Sequence, residues 1–109
     1  MVKVILTPSA IEDAESVYRY LDVFSHRAAQ TFKEEVVAAA RRLKQMPEMG
    51  PVEPTLEHLE RNYRYVLVLS RYKLIYLYEE NICSVLMLWD CRQNTKILKN
   101  SDRFESLNL

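Results

Sequence analysis

The sequence predicts a small α+β fold in which a short N-terminal strand and a helical hairpin precede a three-stranded antiparallel meander. Three observations predict it. Two successive segments repeat apolar residues at helical spacing, a stretch rich in proline stops the second segment, and three apolar runs joined by short turns follow. A chain of 109 residues has the length of one domain. We therefore expect a single domain over residues 1–109, with residues 93–109 as a polar, weakly structured tail.

Residues 2–6 read as a short apolar strand that leads into the first helix. Pro8 suits the first helical turn, and Ser9 with Glu12 fits a capping box. One helical face then carries Ile11, Ala14, Val17, Tyr18 and Leu21. After a break near residues 23–25, Ser25 can cap a second helix, whose apolar positions are Ala29, Phe32, Val36, Ala39, Leu43 and Met46.

The strands of the meander are predicted at residues 62–69, 72–79 and 82–89. The turns near Ser70-Arg71 and Glu80-Asn81 are short enough to make neighbouring strands antiparallel. Both faces of these strands are apolar. We therefore expect the helices to cover one face, and a partner or the tail to cover part of the other. Residues 96–99 read as one helical turn.

The composition indicates a soluble protein without a metal or cofactor. Apolar residues make up 49% of the chain, no apolar run reaches the ~20 residues of a membrane span, and no secretory signal is recognisable at the N-terminus. We expect a cytoplasmic protein. Cys83 and Cys91 form no Cys-x-x-Cys pattern, so we expect two reduced, structural cysteines. Because His26 and His58 lie in different segments, we expect no metal site from them.

The charge is zero overall but unevenly distributed. Residues 1–60 hold 7 basic and 10 acidic groups, whereas residues 61–109 hold 8 basic and 5 acidic groups. This asymmetry favours an anionic partner for the C-terminal half, with Arg61, Arg64, Arg71 and Lys96 as candidate target-binding or nucleic-acid-binding residues. The alternative is that cations at strand ends only solvate the rim of the sheet and prevent edge-to-edge aggregation.

Four segments, in this order and spacing, carry a family resemblance that covers nearly the whole chain. They are Leu6-Thr7-Pro8-Ser9-Ala10, Met46-Pro47-Glu48-Met49-Gly50, Arg71-Tyr72-Lys73-Leu74-Ile75-Tyr76 and Trp89-Asp90-Cys91-Arg92-Gln93-Asn94. With them the chain resembles the RelE/ParE family of toxins from bacterial type II toxin-antitoxin modules. The resemblance implies a helical hairpin packed on an antiparallel sheet. It also implies an antitoxin, acidic in many modules, that folds on binding and wraps the helices and the exposed sheet.

One branch of this family implies a nuclease that cleaves messenger RNA at the ribosome. Lys73 and Arg92 match basic residues of that branch and are the candidate catalytic residues, because cations can hold the scissile phosphate. Such nucleases often carry a tyrosine on the tail for proton transfer, and Leu98 stands in its place here. A substitute could come from Tyr63, Tyr72 or Tyr76, although tyrosines in apolar strands are typically packing residues.

The other branch implies a binding protein that poisons DNA gyrase, and the Asp-x-Arg-Gln-Asn ending favours it. No catalytic group is then required, and Trp89 is expected in the core or at an interface, with the core preferred. A third alternative is a module of the same fold that is not toxic and serves only for interaction. These alternatives predict different fates for Lys73 and Arg92, which a nuclease needs and a binding protein does not.

Overall fold

A mixed four-stranded sheet in the order β1-β4-β3-β2 lies at the centre of the protein. The computed structural model describes residues 2–105, without the side chain of Glu105. Strands β2 (Tyr63–Val68), β3 (Tyr72–Glu79) and β4 (Ile82–Asp90) form the predicted antiparallel meander. The first strand, β1 (Lys3–Leu6), instead pairs with β4 in parallel, from Lys3 opposite Ile82 to Leu6 opposite Val85. The sheet is therefore mixed rather than wholly antiparallel, because the helical hairpin between β1 and the meander returns the chain in the same direction.

The two hairpin turns use residues with a left-handed backbone. Leu69 and Ser70 both have φ of 55°, and Glu80 and Asn81 have φ of 52° and 64°. Two successive positive φ angles define a type I′ turn, whose twist matches that of the strands it joins. The first turn lies one residue earlier than predicted, since Arg71 N–H already donates to Val68 C=O at 3.2 Å.

Helix α1 (Pro8–Phe24) and helix α2 (His26–Gln45) form the predicted hairpin. The prediction for the first cap is wrong. Thr7 is the N-cap, with its hydroxyl accepting from Ala10 N–H at 3.3 Å, so the chain is already helical at Ser9 and the capping box is not used. The prediction for Ser25 is confirmed, because its hydroxyl accepts from Ala28 N–H at 3.1 Å. Met46 lies just beyond α2 and is exposed, so it does not continue the buried stripe.

The helical hairpin covers one face of the sheet. Ala29 and Ala39 are fully buried, which allows close approach of α2, and Phe32 packs edge-to-face on Tyr72 with ring centroids 5.4 Å apart. The buried face of α1 is rotated slightly from the predicted one, as Ala10 is buried whereas the predicted Ile11 is 45% exposed. The buried residues of this helix-side core are Ala10, Phe32, Ala39, Leu43, Val66, Val68, Tyr72, Leu74, Tyr76, Cys83, Val85 and Leu88.

The opposite face is covered by a 3₁₀-helix (Pro54–Leu56) and by two short C-terminal helices, α3 (Thr95–Lys99) and α4 (Asp102–Glu105). Leu98 and Phe104 are buried there beside Trp89, and Phe104 packs on Tyr63 with ring centroids 5.0 Å apart. The expectation of a weakly structured tail is therefore wrong over residues 95–104, because these apolar side chains close a sheet face that is itself apolar. Residues 106–109 of the predicted tail lie outside the described residues.

The irregular segment after α2 protects the β2 edge of the sheet. Tyr65 N–H donates to Pro51 C=O at 3.1 Å, and Glu53 N–H donates to Tyr63 C=O at 2.7 Å. Gly50 is required at the closest approach, since a Cβ there would lie 2.3 Å from the Tyr65 carbonyl oxygen. In the described part of the chain, no helix is long and apolar enough to cross a membrane.

Candidate functional site

Lys73 of β3, whose side chain is 24% exposed, forms an ion pair with a buried carboxylate. Its ammonium donates to Glu53 Oε1 at 2.6 Å and lies 4.3 Å from the centre of the Tyr65 ring. Glu53 comes from the irregular segment and its side chain is only 1% exposed. The positive charge of Lys73 is thus neutralised inside the fold by a carboxylate and an aromatic face.

The Glu53 carboxylate is held in its charged form by these contacts. Burial by itself raises its pKa, but the hydrogen bonds from Lys73 and from the backbone N–H of Thr55, together with the charge of Lys73, bring the pKa below its ordinary value. The pair also fixes the irregular segment against β3. This is a structural role that the sequence did not reveal.

Arg92 lies in the turn after β4 and binds the carboxylate of Asp90. Its guanidinium donates through Nε to Oδ1 at 3.1 Å and through Nη2 to Oδ2 at 2.8 Å, and its backbone N–H donates to Oδ1 at 2.9 Å. The Arg92 hydrogen bonds lower the pKa of Asp90, and the same contact raises the pKa of Arg92. The side chain of Arg92 is nevertheless 57% exposed, so this cation reaches solvent.

The structure does not bring Lys73 and Arg92 together. Lys73 is directly opposite Trp89 in the ladder, and Tyr72 is opposite Asp90. Because side chains alternate along a strand, Lys73 lies on the face of Trp89 and of the C-terminal helices. The carboxylate that holds Arg92 lies on the helical-hairpin face with Tyr72. The two predicted catalytic cations therefore lie on opposite faces, each against a carboxylate, and their role in catalysis stays a prediction.

The three tyrosines considered as substitutes for a proton-transfer group are all buried. Tyr76 donates to Pro47 C=O at 2.7 Å and accepts from Gly50 N–H at 3.1 Å, and Tyr63 donates to Phe104 C=O at 3.2 Å. Burial raises the pKa of Tyr63, Tyr72 and Tyr76, which opposes their use as bases. Trp89 is buried in the core as predicted.

The four residues predicted to bind a target are separated in the structure. Arg61 lies near Glu79 at 3.8 Å, and Arg64 donates to Gly50 C=O at 2.7 Å, so both belong to the end of the sheet where β2 begins. Arg71 precedes β3 at the opposite end, where its guanidinium lies 5.8 Å from the centre of the Tyr72 ring. Lys96 is exposed on α3. These side chains do not form one continuous basic surface.

An ion pair between Asp13 of α1 and Arg103 of α4 was not predicted. Arg103 Nη1 and Nη2 donate to Asp13 Oδ2 and Oδ1 at 2.7 and 3.0 Å, and Nη1 also donates to Leu86 C=O at 3.2 Å. Asp13 Oδ2 in turn accepts from Leu88 N–H at 3.1 Å. The pair thereby supplies hydrogen-bond partners for the C=O of Leu86 and the N–H of Leu88. These backbone groups lie on β4 beyond Val85, the last residue that pairs with β1. No local signal in the sequence links residues 90 positions apart.

The remaining candidate groups do not assemble into a metal site. Cys83 is buried, whereas Cys91 is exposed, so the prediction of a buried structural residue fits only the first. His26 Nδ1 donates to Asp22 Oδ1 at 2.8 Å, and His58 is exposed. Within residues 2–105, no three histidine, cysteine, aspartate or glutamate side chains are grouped as metal ligands.

A small mixed sheet with a helical hairpin on one face defines a compact α+β protein. The model of the ParE toxin of the type II toxin-antitoxin system parDE matches residues 4–95. The chain therefore belongs to the ParE toxin family of type II toxin-antitoxin systems, and membership of this family implies a cognate antitoxin as its partner.

The fold agrees with a solved relative. A chain of the chromosomal ParDE toxin-antitoxin system from P. aeruginosa superposes with a TM-score of 0.68 and 15% sequence identity, over 83% of this chain and 96% of that chain. At this identity the likeness concerns the fold. No curated protein sequence matches the chain significantly.

Proposed function

We propose that this toxin arrests growth by binding and poisoning DNA gyrase, and that it does not cleave messenger RNA. The observation that carries the proposal is that Lys73 and the candidate tyrosines are engaged inside the fold, while the exposed Arg92 is bound to Asp90. Lys73 is neutralised by Glu53, and Tyr63 and Tyr76 donate their hydroxyl protons to backbone carbonyls. Phosphodiester cleavage requires cations directed at the developing charge and a proton acceptor near the attacking hydroxyl. Binding to a protein requires neither.

We further propose that the antitoxin occupies an apolar groove between β1 and the helical hairpin. Two connected open grooves share Leu6, Val36 and Val37 and run along the outer side of β1 and the outer side of α1 and α2. Val37 is 42% exposed and Ile11 is 45% exposed at the groove. The apolar lining consists of Val2, Val4, Leu6, Ile11, Ala14, Tyr18, Phe32, Val36, Val37 and Ala40.

The charges around this groove favour an acidic partner. Lys3, Arg41 and Lys44 line the part beside β1, and Arg19 and Lys33 line the part beside α1, where Glu15 is the acidic residue among the lining side chains. An amphipathic segment with apolar residues toward the groove and carboxylates toward its rim complements this arrangement. No residue of β2, β3 or β4 lines this groove, so it is distinct from the ends of the meander strands.

The experiment that tests the mode of action follows DNA, RNA and protein synthesis in the first minutes after induction from a tightly repressed promoter. We expect DNA synthesis to stop first while messages remain intact, and the purified chain to inhibit supercoiling by purified DNA gyrase. A variant with Lys73→Met, purified in folded form, should inhibit gyrase as the wild type does. An early fall in protein synthesis with cleaved messages would instead support the nuclease, and would refute gyrase poisoning as the primary action.

The antitoxin groove is tested by Val37→Asp, with Met46→Asp as the matched control. Both side chains are exposed on or next to α2, but Met46 lies beyond the helix end and outside the lining residues. We expect Val37→Asp to arrest growth undiminished while escaping neutralisation by the antitoxin encoded in the adjacent gene. Met46→Asp should be neutralised normally. Full neutralisation of Val37→Asp would exclude the groove as the antitoxin site.

A further inference from the structure

We propose that the end of the helical hairpin, together with the β2–β3 turn and the end of β4, is the surface by which the toxin docks on an acidic patch of its protein target. This rests on the proposed function in that the target is a protein. We call it the hairpin-tip surface. Its apolar members are Tyr20, Val23, Phe24 and Leu69, and its arginines are Arg27, Arg71 and Arg92.

The apolar members of the hairpin-tip surface are unusually exposed. Val23 is 80% exposed, Phe24 73%, Tyr20 51% and Leu69 44%. Tyr20 packs edge-to-face on Phe24 with ring centroids 5.2 Å apart, so the two rings lie side by side at the surface. Grouped exposed apolar side chains of this kind mark interaction sites, because they have an unfavourable contact with water that a partner removes.

Two grooves connect Tyr20, Leu69 and the three arginines, and Phe24 adjoins them through its ring contact with Tyr20, next to Val23 at the end of α1. One is lined by Leu21, Ser25 and Arg27 from the hairpin and by Leu69 and Arg71 from the β2–β3 turn. The other, of about 790 Å³, contains Tyr20 on one side and Asp90 with Arg92 on the other. Tyr72 lies in both grooves and joins them. Residues distant in sequence thus meet around a single end of the molecule.

The charge of this surface selects an acidic partner. Next to the hairpin end, Asp22 is hydrogen-bonded to His26, and at the end of β4 Asp90 is hydrogen-bonded to Arg92. The larger groove also contains Asp13, which pairs with Arg103, and the exposed Asp102. Arg27 and Arg71 make no ion pair with any described residue, and Nε of Arg71 is buried without a hydrogen-bond partner in the described part of the chain. A second copy of this protein is disfavoured, because a two-fold interface would bring the arginines against their own images.

The surface favours a protein over a nucleic acid. Its most exposed member, Val23, and the turn residue Leu69 are aliphatic and cannot stack on bases. Arg92, the most exposed cation at the end of β4, already shares its charge with Asp90. Apolar and aromatic anchors with arginines around them are instead the composition of energetically dominant positions in protein interfaces.

The test uses variants whose side chains are already exposed, so that the fold is preserved. The first is the double variant Val23→Ser with Phe24→Ser. The second is Arg27→Glu, which places a carboxylate at the second position of α2, where the helix dipole favours it. The control is Met46→Ser, at the opposite end of α2 and about 30 Å away for a helix of this length. Each chain is assayed for growth arrest, inhibition of purified DNA gyrase, and binding to the antitoxin.

We expect both hairpin-tip variants to need about thirtyfold more protein for the same growth arrest, as for the loss of a dominant interface anchor, while their antitoxin affinity and the potency of Met46→Ser stay unchanged. Unchanged potency, or an equal loss in Met46→Ser, would overturn the proposal. The proposal would also be overturned if the wild type bound a labelled RNA or DNA oligonucleotide and the hairpin-tip variants did not. It would equally be overturned if the wild type did not arrest growth.

The two proposals fail in different ways. If the wild type arrests growth without inhibiting gyrase, and the hairpin-tip variants do not arrest growth, the gyrase assignment is wrong and the hairpin-tip surface still docks on a protein target. If the wild type inhibits gyrase and the hairpin-tip variants inhibit it equally, the gyrase assignment stands and the hairpin-tip surface is wrong.

Discussion

Replacing Lys73 by methionine gives the sharpest test of whether this residue is structural. Methionine keeps most of the volume and apolar stem of lysine but removes the ammonium that donates to Glu53 at 2.6 Å. Glu53 remains 1% exposed and then retains only Thr55, through its backbone N–H and its side chain, as a described donor to its carboxylate. A buried carboxylate without its counter-ion is strongly unfavourable.

We expect Lys73→Met to lower the free energy of unfolding at pH 7 by about 3 to 5 kcal/mol, the usual cost of removing one member of a buried ion pair. Small proteins have total stabilities of about 5 to 15 kcal/mol, so the loss is a large fraction of the whole. With a urea dependence of about 2 kcal/mol per molar, the midpoint of unfolding falls by about 2 M.

The pH dependence of this loss has a definite sign. In the wild type the pKa of Glu53 is lowered from 4.5, so the ionised group stabilises the fold above that pH, and the stabilisation is lost as the pH falls through the folded pKa. In the variant, burial remains and the contributions of Lys73 disappear, so the pKa should rise above 4.5. Protonation of Glu53 then favours folding, and the difference between variant and wild type should shrink as the pH falls from 7 toward 4.5.

The measurement is urea unfolding of the purified proteins between pH 7 and pH 4.5, followed by circular dichroism. The double variant Lys73→Met with Glu53→Gln is the control, because glutamine has no charge to bury and can still accept from Thr55. It should recover much of the lost stability. A loss of stability below about 1 kcal/mol, the size of an exposed pair, would refute a buried structural pair. So would a difference between variant and wild type that does not shrink with falling pH. In either case the ammonium of Lys73 would be available for another role.

Three other substitutions probe the contacts that close the fold. Tyr76→Phe leaves the buried Gly50 N–H without its acceptor and should cost about 1 to 3 kcal/mol in thermal unfolding, whereas an unchanged midpoint would contradict that contact. Asp13→Asn weakens the partly exposed pair with Arg103 and should cost about 1 to 2 kcal/mol, checked by urea unfolding against Asp102→Asn. Leu98→Ala should cost about 2 to 5 kcal/mol and expose the C-terminal helices to limited proteolysis; Ile97→Ala, with an exposed side chain, should do neither.

The elements of this fold are predictable because their signals are local. Ser25 caps α2 by a hydrogen bond within three residues, and the meander strands are apolar runs joined by turns of two or three residues. The parallel pairing of β1 was not predictable in this way, since Leu6 meets Val85 only through the tertiary fold. The burial of Phe104 was missed for the same reason, because its partner Tyr63 lies 41 residues earlier.

The candidate site shows the same division between local and distant information. The family resemblance singled out Lys73 by its place in a strand, but the residue that neutralises it, Glu53, lies in an irregular segment with no periodic pattern. Arg92 was also predicted as a phosphate-binding cation, and its contact with Asp90 is only two residues away, so this pair could have been proposed from the sequence. A residue type at a matching position therefore does not establish that its charge is available.

The packing of the C-terminal helices changes how a truncation of the chain should be interpreted. Removal of all residues after Asn94 is an obvious test of whether the C-terminal segment contacts the target. In this structure it would also remove Leu98 and Phe104 from the core and Arg103 from Asp13. Loss of toxicity would then follow from unfolding as readily as from loss of a contact. Substitution of the exposed Ile97 and Lys96 on α3 removes surface without removing core. If Ile97→Ser with Lys96→Ala keeps full toxicity and antitoxin binding, the C-terminal helices act in this toxin by closing the sheet rather than by touching the target.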